Sequence, residues 1–223
     1  MNEKEQVAVS NTFEKGIRIP ECKISTEEDI PTLITLRKEI DGVTDEGKLK
    51  REAEKFCKNK NGNLAIITYV EGTPAGYVEI SQNEPFPDKL KITLNEQNSD
   101  KGYSQDELTA MLSRIQNYAH LDRIGVKKEF RGPQFGNEIG ETDKERQENS
   151  YKIKATYYLM QEAEQQAKNL DKQGIWLEYK KDNSPAANLY RENGYSQVGT
   201  FTEKKGTFFS QKIDRVLVAK KFD

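Results

Sequence analysis

Apolar positions recur at two spacings along the chain, and these divide it into elements. In STEEDIPTLITLRKEI (25–40), Ile30, Leu33, Ile34, Arg37 and Ile40 fall on one stripe of a helix. Ser25 and Thr26, backed by Glu27, Glu28 and Asp29, mark its start, where Pro31 is tolerated. A charged helix over 47–59 turns Leu49, Ala53 and Phe56 inward. Two β-rich runs flanking EGTP predict a hairpin over 63–82. Ser104 and Glu107, at capping-box spacing ahead of Leu108, Met111, Leu112 and Ile115, predict a helix over 103–119. LDRIGV (121–126) and GIWLEYK (174–180) are apolar runs of strand length. Between them, Ala155, Leu159, Ala163 and Ala167 line one face of a helix over 150–170, with Ser150 as its cap. SPAANLYREN (184–193) is a short helix closed by Gly194. An extended run at 19–24 opens the succession, and β-rich runs broken by EKKG close it. FPDKLKITLNEQNSDKG reads as a short strand and a loop. This order predicts a mixed α/β fold on one sheet.

The length, 223 residues, suits one large domain or one domain with extensions. With 34% hydrophobic and 32% charged residues, the chain supplies a single core under a heavily charged surface. A net charge of −2 argues against a nucleic-acid partner, which favours a basic face. No stretch approaches the roughly 20 apolar residues of a membrane span, so no membrane partner is expected. MNEKEQVAVSNTFEKG lacks the apolar centre of a signal peptide, and residues 1–18 read as a flexible polar leader. Cys22 and Cys57 have no metal or redox spacing, so the default is a reducing, cytoplasmic setting. With His120 the only histidine, a histidine-rich metal site is all but excluded.

RGPQFG (131–136) changes the picture. It follows the strand LDRIGV and offers glycines for close backbone approach, Arg131 for charge, and Lys127 and Lys128 nearby. A pyrophosphate needs such converging N–H donors. On its own, the stretch is explained as well by an ordinary strand-to-helix turn. It lacks both the Lys-Ser/Thr ending of a P-loop and the three-glycine dinucleotide fingerprint. Asn183 stands where a helix N-cap is needed.

From about residue 19 to the C-terminus, the chain resembles the GNAT family of acetyl-CoA-dependent N-acetyltransferases. IGVKKEFRGPQFG is similar to that family's acyl-CoA loop, Arg/Gln-x-x-Gly-x-Gly/Ala, and NSPAANLYRENGY is similar to its later Asn, Ala, Leu-Tyr and Gly-aromatic element. CKISTEEDIPTLITL and EGTPAGYVEI occur where the family has its opening helix and hairpin. The resemblance implies a GNAT-like α/β fold: a central mixed, mostly antiparallel sheet flanked by helices, with insertions near 84–119 and 137–150. It implies acetyl-CoA in a wedge between LDRIGV and GIWLEYK, its pantetheine arm along Ile124, Gly125 and Val126. Arg131, Gly132, Pro133, Gln134, Phe135 and Gly136 would then hold the pyrophosphate, with Asn183, Ala186 and Tyr190 also at the cofactor. Tyr190 would protonate the leaving thiolate.

Two features depart from the family. Gln134 replaces a close-approach residue, and Pro133 removes a donor. The polar segment 137–149 separates the loop from the periodic helix, so either the helix extends toward the loop or this segment bulges out.

An attacking amine must lose a proton. His120 and Asp122, two apart on a strand, point to one side and suit that task, though a surface histidine with an ion pair explains them equally. Glu79 is a rival carboxylate. The acceptor is a small-molecule amine or a peptide or protein amine, and a homodimer stays open. The acids of 137–149 could draw a cationic acceptor or simply form a solvated loop. The alternative function is a non-catalytic acyl-CoA-binding or protein-interaction domain on the same fold.

Overall fold

Seven strands build one sheet among the residues that a computed structural model describes: 20–82, 115, 117–131, 143–205 and 211–223. They are Glu21–Ile24 (β1), Leu64–Val70 (β2), Thr73–Ser81 (β3), Ala119–Val126 (β4), Gly174–Lys180 (β5), Ser196–Lys205 (β6) and Gln211–Lys221 (β7). Their order across the sheet is β1-β2-β3-β4-β5-β7-β6, and only β4 and β5 run parallel. The mixed, mostly antiparallel sheet expected from the sequence is present.

The helices are Ile30–Asp41 (α1), Glu46–Cys57 (α2), Asp143–Asn169 (α3) and Ser184–Glu192 (α4). α1 and α2 cover one face with Leu33, Leu36, Ala53, Phe56 and Cys57 on Ala65, Ile67 and Tyr77. α3 covers the other with Ala155, Leu159, Met160, Ala163 and Ala167, over the alternate residues Ile66, Val78, Ile80 and Leu121. Strand alternation sends neighbouring residues to opposite cores, so the hairpin is buried on both sides. Its turn is Glu71–Gly72, at φ of 53° and 76°, the left-handed pair that suits the twist of a tight hairpin.

Several expectations are corrected. The long helix begins at Asp143, not at Ser150, so Ser150 lies within it. Charged residues on every side of its first turns hide the apolar period there. The helix expected to reach 119 stops earlier: residues 117–118 form a turn, and Ala119 opens β4, paired with Ile175 of β5. Glu203, Lys204 and Lys205, expected to break the closing strands, continue β6 opposite Ile213, Lys212 and Gln211. The leader 1–18, most of the region 84–119, and Gly132, Pro133, Gln134, Phe135 and Gly136 lie outside the described residues.

Candidate active site

β4 carries a bulge that organises everything around it. In the β3–β4 register, Glu79 faces Arg123 and Ile80 faces Leu121, which leaves Asp122 as the extra residue. A bulge breaks strict alternation and bends its strand. Here it sends both Asp122 and Arg123 to the α1–α2 face, while Leu121 and Ile124 join the α3 core. On the other side of β4, pairing with β5 holds only for Ala119↔Ile175 and His120↔Trp176. Beyond those residues the two parallel strands part, and β5 continues with β7 alone as far as Lys180↔Arg215. Ile124, Gly125 and Val126 still pair with β3, so it is their β5-facing edge that opens. Gly125 makes room for α1: a Cβ there would sit 2.6 Å from Ile40 Cγ2, so the Ile40 side chain would have to shift.

His120 and Asp122 meet as expected. Nδ1 of the imidazole is 3.6 Å from Asp122 Oδ1, and both side chains are mostly buried. The Ser81 hydroxyl donates to the other oxygen of Asp122 at 2.5 Å. The imidazole lies flat on the Trp176 indole, with ring centroids 3.9 Å apart and planes at 20°. Burial raises the Asp122 carboxyl. Pairing with His120 and the Ser81 bond outweigh it, and hold Asp122 below its ordinary value.

Glu79 sits differently. It is fully buried on the same face, and Arg37 of α1, also fully buried, donates to its Oε1 through Nε (2.7 Å) and Nη2. Arg37 also reaches Glu52 of α2 at 2.7 Å, and Arg123 approaches Glu52 at 3.2 Å and Asp41 at 3.7 Å. Tyr77 donates its hydroxyl proton to Asp41. This network ties α1, α2, β3 and β4 together. Burial pushes the Glu79 carboxyl up to about 7, against the pull of Arg37 and Arg123.

Tyr190 is on the opposite face. It projects from α4 into the α3 core, with its ring 5.5 Å from that of Tyr179 and 5.8 Å from that of Tyr195. Burial raises its phenol well above the ordinary value, so it stays protonated at neutral pH. Asn183 caps α4 by accepting from the Ala186 N–H at 3.2 Å, and Gly194 follows the C-cap residue. At the end of β4, Arg131 turns back so that its Nε donates to the Val126 carbonyl at 2.7 Å. Lys127, noted as lying near the loop, pairs with Glu39 of α1 at 2.7 Å.

The structure therefore gathers His120 and Asp122 on one face of the strand opening and Tyr190 on the other, and it walls Glu79 into an ion-pair network. Sequence reasoning missed Ser81, Arg123 and the Trp176 plate. Ser81 stands two residues after Glu79, so its face was readable, but the residue opposite it depends on the bulge.

No protein-family model matches the sequence, and no curated protein matches it. Solved structures do. A ribosomal-protein-alanine N-acetyltransferase from Brucella melitensis superposes with a TM-score of 0.56 at 15% identity, over 91% of this chain and 99% of that one. An acetyltransferase of the GNAT family from Streptococcus pneumoniae gives a TM-score of 0.53 at 13% identity, over 91% and 99%. The ribosomal-protein-S18-alanine N-acetyltransferase from Escherichia coli gives 0.52 at 12%, over 91% and 94%. The parted parallel strands, the two helical layers and these likenesses agree: the chain has the fold of the GNAT acetyltransferases.

Proposed function

We propose that the protein transfers an acetyl group from acetyl-CoA to a primary amine, by direct attack in a ternary complex. The observation that carries this reading is the early parting of β4 from β5, after His120↔Trp176, with the His120–Asp122 pair and Tyr190 on opposite faces of the opening. A thioester lying in that gap would meet a base on one side and an acid on the other. The edge of Ile124–Val126 that β5 leaves unpaired suits an amide-bearing pantetheine arm. Arg131 and the loop through Gly136, Asn183 and Ala186 are the residues we assign to the rest of the cofactor.

The His120–Asp122 pair takes the proton that the attacking nitrogen loses, through a bridging water. Main-chain N–H groups at the opening stabilise charge on the carbonyl oxygen as the C–N bond forms. Tyr190 gives its proton to the sulfur as the C–S bond breaks. Burial keeps the phenol protonated until then, and makes a thiolate beside it a stronger base. Glu79 has no part in proton transfer; Arg37 occupies it.

Free thiol release from acetyl-CoA, measured across polyamines, aminoglycosides, free amino acids and peptides, tests the reading. Two of the similar structures are named for ribosomal-protein alanine, so the peptide set includes N-terminal alanine. Saturable release with one amine class is the expected result. Tight acetyl-CoA binding without turnover of any amine would favour the non-catalytic acyl-CoA-binding alternative.

A further inference from the structure

Ser81 is 1% exposed at the end of β3, so it touches no substrate. Its hydroxyl nonetheless donates to Asp122, the extra residue of the β4 bulge. A bulge residue has no cross-strand partner to fix its side chain. Without Ser81, the Asp122 carboxylate would be free to turn about its own torsions. With one oxygen held at 2.5 Å, the other faces His120 Nδ1 at 3.6 Å. The imidazole is meanwhile kept flat by Trp176. The other charged groups bearing on Asp122 are Lys55 of α2, which favours its anion, and buried Glu79 of β3, which interacts with it repulsively.

We propose that Ser81 is a positioning residue: it aims Asp122 at Nδ1 of His120, so that Nδ1 carries the proton and Nε2 receives the one released by the amine. This rests on the acetyl-transfer reading for its chemistry, but not for its test. His120 is the chain's only histidine, so its ring nitrogens give an unambiguous NMR signal. In the unliganded protein, at a pH where the ring is neutral, the nitrogen shifts report which nitrogen bears hydrogen. The parent should favour the Nδ1–H form. Ser81→Ala should shift the balance toward Nε2–H, Asp122→Asn should alter it further, and Ser81→Thr should restore it.

With an amine that the parent acetylates, Ser81→Ala should lower kcat on the order of tenfold. KM for the amine should stay unchanged, and Ser81→Thr should recover the rate. An unchanged tautomer balance in Ser81→Ala would overturn the proposal, whatever the activity. If the balance moves as expected but the parent acetylates no amine, the positioning role stands and the acetyl-transfer reading fails.

Discussion

Tyr190→Phe is expected to lower kcat for amine acetylation about a hundredfold or more while leaving acetyl-CoA affinity unchanged. The substitution removes only the hydroxyl. The ring still packs against Tyr179 and Tyr195 in the α3 core, so the fold and the opening beside it should persist. What is lost is a proton donor that burial keeps fully protonated through the neutral range. Steady-state rates with the best amine of the panel, and calorimetric titration with acetyl-CoA, separate the two effects. If kcat stayed within about threefold of the parent, the thiolate would have to draw its proton from elsewhere.

The second large effect is on stability. Arg37→Met should destabilise the protein by about 3–5 kcal/mol, because it takes from buried Glu79 its main counter-charge and hydrogen-bond donor. For a chain of this size, that corresponds to a fall in Tm on the order of 10 °C. The double variant Arg37→Met with Glu79→Met should recover most of the loss, because a well-packed apolar pair needs no counter-charge. The pH dependence carries a definite sign. The Glu79 carboxyl lies at about 7 when folded, above its ordinary 4.5. Between those values the folded state holds a proton that the unfolded chain has released, so stability falls as pH rises through the window. Arg37 is the strongest influence holding that value down, so its removal should extend the decline above pH 7. Urea unfolding of the single and double variants across this range checks both statements. Equal stability of parent and Arg37→Met at about pH 8 would mean that Arg123 alone suffices for Glu79.

What the sequence made legible follows from how local each signal is. β5 and α4 appear where their runs predict, because a short apolar stretch and an Asn-Ser-Pro start are complete within a few residues. The Arg37 position was readable as buried from the helical stripe; its partner was not, because Glu79 is 42 residues away and the pairing depends on how α1 crosses β3. His120 and Asp122 could be placed on one side from alternation alone. Arg123 could not, and neither could the bond from Ser81 to Asp122, because one extra residue in β4 resets the alternation there, and nothing in LDRIGV marks where. The first turns of α3 were hidden for the opposite reason: the backbone there is helical, but its sequence, DKERQEN (143–149), carries no apolar period.

The stacking of His120 on Trp176 joins the chain's only histidine to its only tryptophan. An excited indole loses energy more readily to a protonated imidazole than to a neutral one. The indole emission, separated from that of the ten tyrosines, should therefore respond to the protonation state of His120. A ligand that perturbs His120 should change that emission without any chemistry, so ligands can be ranked optically even when they are never acetylated.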